Sequence, residues 1–301
     1  MTEPSTTLRT GFVGLGVMGR PMATRLLAAG FPTTVTSRTA AAVQELVRAG
    51  ATAAATPGAV ALASDVVLVM VPETADLEAV MEPPDGVLGG AHEALVIVAM
   101  GTHDPSAMPR LAARAAAVGA AFLDAPVSGG DVGAREGTLS IMVGGDETAF
   151  ERARPVFEAM GSRVAHLGPS GAGQIAKAAN QLIVGSTIEA VAEAFTLAAR
   201  AGLDVARLRD VLGGGFASSR ILEVHGRRML DRDFTPGGRA QLHAKDARII
   251  LALADELGVD LPGFTPIAAA FQQLVDEGHG DLDHSALITL LERRSPGATA
   301  D

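Results

Sequence analysis

Two periodicities divide the chain. Through the first half, short apolar runs alternate with stretches whose apolar residues recur at helical spacing. Thr10–Val13 reads as a strand, and residues 20–29 read as a helix stopped by Gly30. Thr33–Thr36 is a second strand, and 40–49 a second helix closed by Gly50. Residues 66–71 form an unbroken apolar run ended by Pro72. Residues 95–99 form another ahead of Gly101-Thr102, with 121–123 and 139–143 as further candidates. Apolar strands separated by helices are the pattern of a parallel sheet buried on both faces and joined by right-handed crossovers. Near Gly168 the pattern changes. From Gln174 onward, Ala-rich helical stretches follow one another without a convincing strand, punctuated by Gly202, Gly213-Gly214-Gly215, Pro236-Gly237-Gly238, Gly258 and Pro262-Gly263. The expected architecture is α/β: a doubly wound parallel sheet over residues 1–170, then an all-α domain over 171–301 that begins with one long interdomain helix, 174–200. Only the two chain ends read as loose, and no internal repeat is evident.

Composition narrows what such a fold can do. The formal net charge is -10, which argues against nucleic acid or an anionic membrane as the main partner. No apolar run approaches the ~20 residues of a membrane span, and the polar start followed by Gly11-Phe12-Val13 is too short for a secretory leader, so the expected location is cytoplasmic. The chain has no Cys, which excludes disulfides, a thiolate nucleophile and Cys-ligated zinc. It has no Tyr either, so any proton donor must be Lys, His or a carboxylic acid. The seven histidines show no metal-ligand spacing. His166 and His225 are expected to be structural, and no metal is expected.

Gly14-Leu15-Gly16-Val17-Met18-Gly19 fits G-x-G-x-x-G, placed after a strand and before a helix in the first βαβ unit. In a Rossmann-type dinucleotide site, the first Gly makes the tight turn, the second lets the backbone approach the pyrophosphate, and the third lets helix and strand pack closely. A Gly-rich turn without a ligand is the alternative. The second strand ends in Ser37-Arg38-Thr39 rather than the Asp or Glu that usually accepts the NAD ribose hydroxyls. A guanidinium beside two hydroxyls suits a 2′-phosphate, so NADP is the preferred cofactor and NAD remains possible; Arg38 could equally be a solvated surface residue. Ligands in such sheets bind beyond the carboxyl ends of the strands. That rule brings Met70, Val71, Pro72 and Thr102 to the adenosine or nicotinamide ribose.

Asp124-Ala125-Pro126-Val127-Ser128-Gly129-Gly130 can present a hydroxyl and bare N–H groups to a carboxylate, or be an ordinary loop. On the long helix, Lys177, Asn180, Gln181 and Val184 share a face. A Lys in so apolar a helix needs a task or a partner. Partial desolvation would lower its pKa and suit it to general acid work, unless it simply snorkels to solvent. Gln241-Leu242-His243-Ala244-Lys245-Asp246 adds a second Lys and an acid, which could also be a surface ion pair.

Taken together, these motifs resemble the β-hydroxyacid dehydrogenase family, which includes 3-hydroxyisobutyrate dehydrogenase, tartronate semialdehyde reductase and glyoxylate/succinic semialdehyde reductases. The resemblance covers nearly the whole chain: the stretch from Phe12 to Ala23, the Asp124 to Gly130 motif, Gly171-Ala172-Gly173-Gln174 with Lys177, the Leu242 to Asp246 motif, and Asp283-His284-Ser285-Ala286-Leu287. It implies Lys177 as the catalytic acid/base. Ser128, Gly129, Gly130, Asn180, Gln181 and Asp246 would bind the substrate. Lys245 and Thr102 would sit at the cofactor, with Leu15, Val17 and Met18 completing its Gly-rich turn. Residues 133–145, 214–226 and 241–246 are most similar to the tartronate semialdehyde reductase branch. That branch implies reduction of 2-hydroxy-3-oxopropanoate to D-glycerate, with the family's other aldehyde or hydroxy acid substrates as alternatives. An imine reductase or a non-catalytic dinucleotide-binding module is a more distant alternative. A homodimer or homotetramer is expected. Three positions depart from the family pattern: Arg25 for the usual Asn, Ala99 for a common Asp, and Gly238 for an aromatic near the nicotinamide.

Overall fold

The structure is a computed structural model and describes residues 8–82 and 84–294; the chain ends lie outside the described residues. The chain forms two compact units, Met1–Lys177 and Ala178–Asp301.

The first unit is built in chain order from β1 (Thr10–Val13), α1 (Gly19–Ala28), β2 (Thr33–Thr36), α2 (Ala40–Arg48), β3 (Thr52–Ala53), α3 (Pro57–Leu62), β4 (Val66–Val69) and α4 (Thr74–Met81). It continues through β5 (Val96–Ala99), α5 (Ala107–Ala116), β6 (Ala121–Asp124), β7 (Val127–Ser128), α6 (Gly130–Glu136), β8 (Leu139–Gly145), α7 (Glu147–Glu158) and β9 (Gly161–Gly168). The sheet runs β3-β2-β1-β4-β5-β6-β8-β7, with β9 also paired to β8. From β3 to β6 every pairing is parallel. This is the Rossmann order, and the strand order reverses between β1 and β4, where dinucleotides bind in such sheets. Both faces are covered. Phe12, Leu68 and Val98 pack into one apolar cluster, and Val13, Val67, Val69 and Ile97 into another on the opposite face. That is why these strands read as unbroken apolar runs.

Beyond β6 the sheet becomes mixed. β8 runs antiparallel to β6 and β7 and parallel to β9. The sequence pattern missed β9 for a physical reason: only its first residue is buried, so it carries no apolar run. The short, exposed β3 escaped notice in the same way.

Helix α8 (Ala172–Arg200) spans the boundary between the units. The second unit then adds α9 (Val205–Leu212), α10 (Arg220–Asp231), α11 (Ala240–Leu257), α12 (Thr265–Leu274), a short 3-10 turn at His284–Leu287 and α13 (Ile288–Arg294). Its main core joins Ile188 and Phe195 of α8 to Leu222, Met229, Phe271, Leu274 and Leu287. Local chemistry sets the helix starts: Asp204 accepts from the N–H groups of Ala206 and Arg207, and Ser219 from that of Leu222. Helix α8 is long and apolar enough, by length and composition, to cross a membrane, with a mean hydropathy of 1.5. The expectation that no stretch approaches that length therefore does not hold. It rested on finding an unbroken apolar run, whereas isolated polar residues interrupt α8 without bringing its average down.

Candidate active site

The Gly-rich turn leaves β1 directly opposite the exit of β4. Gly14 has φ +95°, and a Cβ there would lie 2.3 Å from the Met70 carbonyl oxygen. A Cβ on Gly19 would lie 2.0 Å from the Gly14 carbonyl oxygen. Both positions therefore exclude any side chain. Gly16 differs, because a Cβ there would meet nothing within 4 Å. Its bare backbone borders open space, as a pyrophosphate cradle requires. No side chain caps α1 and no acid lies in its first turn, so its positive end is left to attract an anion. Ser37 Oγ accepts from Leu15 N at 3.4 Å and from Thr39 N at 3.3 Å, tying the end of β2 to the turn. Arg38 is exposed beside it and forms no ion pair among the described residues. Met70 and Val71 are half-buried at the exit of β4, and Thr102 is half-buried beyond β5. These residues fit a dinucleotide.

The start of α8 is fixed by bonds between residues far apart in sequence. Asp124, fully buried at the end of β6, accepts from Gly171 N at 2.7 Å through Oδ1 and from Gln174 N at 2.9 Å through Oδ2. Burial raises its pKa, and those two N–H bonds only partly oppose the rise. Gln174 is buried as well. Its Nε2 donates to the Gly101 carbonyl and its Oε1 accepts from His103 N, both at 2.9 Å. The exits of β5 and β6 thus hold the first turn of α8, and Lys177 follows at the end of that turn, only 7% exposed. It does not snorkel to solvent. Ser128 stands four residues after Asp124, at the same end of the sheet. Gly129 and Gly130 follow with φ +132° and +63°, and both are exposed, so this turn offers main-chain N–H groups to an anion. Asp124 and Gln174 were not singled out as positioning residues in the sequence. The signal was present in Asp124 closing an apolar strand, but its partners lie 47 and 50 residues away.

In the second unit, Asn180 Nδ2 donates to Gln181 Oε1 at 2.8 Å, and Gln181 Nε2 to Asp246 Oδ2 at 2.6 Å. Asp246 Oδ1 pairs with Lys245 Nζ at 3.0 Å, and both side chains are buried. The Lys245–Asp246 pair is thus not a surface ion pair. The structure joins four of the residues singled out above into one network, buried at Lys245 and Asp246 and partly buried at Asn180 and Gln181. It also assembles a group that spacing did not reveal. His225, Asp283 and His284 offer ligand atoms within 4.8 Å of one another. Burial alone would raise the Asp283 carboxyl. The approach of His225, the neighbouring His284 and the bonds from Ser285 outweigh it and hold that carboxyl well below the usual carboxylate range. Burial, with His225 and His243 alongside, pushes His284 well below the ordinary imidazole value.

Known proteins resemble this chain over nearly its whole length. Residues 9–168 match the NAD binding domain of 6-phosphogluconate dehydrogenase, and residues 171–291 match the NAD-binding region of NADP-dependent 3-hydroxyisobutyrate dehydrogenase. The chain is 46% identical to 2-hydroxy-3-oxopropionate reductase of Escherichia coli (strain K12) over 285 residues, covering 95% of this chain and 97% of that protein. The chain belongs to the 3-hydroxyisobutyrate dehydrogenase family of NAD(P)-dependent oxidoreductases. Another relative is the NAD-dependent L-serine dehydrogenase of Pseudomonas aeruginosa, 37% identical over 292 residues and covering 93% of this chain and 97% of that protein. Among solved structures, the 3-hydroxyisobutyrate dehydrogenase of Salmonella typhimurium superposes with a TM-score of 0.87 at 32% identity, covering 94% of this chain and 99% of that one. The dinucleotide-binding Rossmann domain is thus present, whereas the names of these relatives include both NAD and NADP.

Proposed function

We propose that this oxidoreductase reduces 2-hydroxy-3-oxopropanoate to D-glycerate and prefers NADP(H). The observation that carries the reading is the buried Lys177, held at the first turn of α8 by Asp124 and Gln174 in the same unit as the Gly-rich turn. A dinucleotide held by the Gly14–Gly19 turn would supply a hydride to the aldehyde carbon. Lys177 donates a proton to the oxygen that becomes an alkoxide, and its charge stabilises that oxygen as negative charge develops. The Ser128 hydroxyl and the N–H groups of Gly129 and Gly130 hold the substrate carboxylate, which fixes the direction in which the carbonyl faces. Asn180 and Gln181 follow Lys177 by three and four residues on one helix face, and their amides suit the single hydroxyl of the substrate. Arg38 and the hydroxyls of Ser37 and Thr39 receive a 2′-phosphate. The 46% identity to a 2-hydroxy-3-oxopropionate reductase supports this substrate over others of the family.

Initial rates with 2-hydroxy-3-oxopropanoate, methylmalonate semialdehyde, glyoxylate and succinic semialdehyde, each with NADPH and NADH, test the reading. Fast turnover selective for the first aldehyde with NADPH is expected. Selectivity for another aldehyde would discard the substrate, and equal use of NADH would discard the role of Arg38.

A further inference from the structure

The second unit holds a pair of imidazoles in a geometry the dehydrogenase reading does not use. His225 lies in the middle of α10, and His284 opens the 3-10 turn 59 residues later. Their Nε2 atoms face each other at 3.3 Å, with ring centroids 4.5 Å apart and the rings nearly perpendicular. On the far side of the first ring, His225 Nδ1 lies 3.5 Å from Asp283 Oδ1.

Asp283 is fully buried and rigidly held. Oδ1 accepts from Ser285 N at 3.1 Å and Ser285 Oγ at 2.6 Å, and Oδ2 from Gly237 N at 2.9 Å and Gly238 N at 3.1 Å. Arg228 Nη1 lies 3.6 Å from Oδ2. The ring of His243 stands edge-on to His284 at 5.3 Å and packs on Phe271 at 4.3 Å. His284 is thereby held from a second direction. Gly238 carries no side chain to cover the His284 ring, although a Cβ there would come within 3.3 Å of its Cε1. Both imidazoles are only partly buried, with 16% of the His225 side chain exposed, which leaves a small ion a way to reach them.

Two imidazole nitrogens bound to one tetrahedral zinc at about 2.0–2.1 Å stand about 3.3 Å apart. The observed separation matches that edge. A carboxylate facing the remote nitrogen of a ligating His is the usual way of fixing its ring and tautomer. We propose that His225 and His284 form a binding site for a transition-metal dication of the zinc class, oriented by Asp283 and completed by water. The ion joins α10 to the 3-10 turn and takes no part in hydride transfer. The alternative use of the same geometry is a plain N–H···N hydrogen bond, which binds no metal.

The test uses metal-free, full-length protein without a histidine tag. Zn2+ is titrated in competition with a chromophoric chelator, and Co2+ is added separately to read its visible spectrum. One equivalent of Zn2+ is expected to bind, and Co2+ to give the intense bands of a tetrahedral site. H225Q and H284Q are each expected to weaken binding at least about tenfold and to abolish those bands. H166Q, in the first unit, is expected to leave both unchanged. Circular dichroism establishes that each variant is folded; if H284Q unfolds, H225Q, altered at a partly exposed position of α10, carries the test alone. Absence of stoichiometric binding, a weak octahedral Co2+ spectrum, or binding that H225Q leaves intact would overturn the site.

Discussion

The Gly-rich turn and the start of α8 serve the same unit but are made of different material. The turn is backbone: Gly14 and Gly19 exclude side chains because the Met70 and Gly14 carbonyls occupy the space, and Gly16 leaves its main chain open. The start of α8 is side chain: one carboxylate reaches from the exit of β6 to N–H groups at the helix start, and one amide on the helix reaches back to the loop backbone beyond β5. The first device places a cofactor by excluding atoms over six consecutive residues. The second places a reacting group by bonds that close loops of 47 to 73 residues. Substitutions should therefore separate binding from chemistry, depending on which device they touch.

The largest effect is expected at Lys177. K177A removes the proton donor and the positive charge beside the forming alkoxide, and should lower kcat by about 10^2–10^4-fold. The Gly-rich turn is untouched, so the dissociation constant for NADPH should stay within a few-fold of the parent, measured by fluorescence titration. A large loss of cofactor affinity would mean that the two devices are not separable.

The next effect is expected at Asp124. D124A leaves the buried N–H groups of Gly171 and Gln174 without an acceptor, at a cost of about 2–4 kcal/mol. Denaturant unfolding should show that loss, and kcat should fall even though Lys177 is intact. A destabilised protein with unchanged kcat would show that the first turn of α8 holds Lys177 without Asp124.

The same contrast explains what could be read in the sequence. The parallel strands were legible because buried strands announce themselves as apolar runs, and the cradle because its glycines lie within six consecutive residues. β9 was not, since only its first residue is buried and strand pairing of an edge leaves little pattern. Lys177, Ser128 and the Asn180–Gln181 pair could be named, but a snorkelling reading stood beside Lys177 until its burial was known, and burial does not remove the ordinary-loop reading beside Ser128. The burial of Lys245 and Asp246 removed the surface-pair reading, and only the fold could show it. His225 and His284 carry no local signal, because the pair is created by packing α10 against a turn 59 residues away.

A smaller and more selective effect belongs to Arg38. R38A should leave kcat with saturating cofactor almost unchanged while raising KM for NADPH. One charge-assisted interaction with a 2′-phosphate corresponds to about 10–100-fold in the NADPH-to-NADH preference. KM values for both cofactors, compared in parent and variant, measure it. An unchanged ratio would mark Arg38 as a solvated residue and leave the cradle to the glycines alone.

The smallest effect lies outside both devices. Arg9, just before β1, donates from Nε and Nη2 to Asp65, just before β4, at 3.3 and 2.9 Å. Arg9 is about half exposed, so solvent screening limits the pair to about 0.5 kcal/mol. The hydrogen bond from Arg9 lowers the Asp65 pKa, so the carboxylate form is favoured in the folded state. The stabilisation is then complete above the unfolded carboxyl value of about 3.9 and is lost as pH falls through the lower folded value. R9A should lower the unfolding midpoint slightly at neutral pH and converge with the parent in acid, with cofactor affinity and kcat unaffected. A difference that persisted unchanged into acid would assign the effect to packing of the arginine stem rather than to its charge.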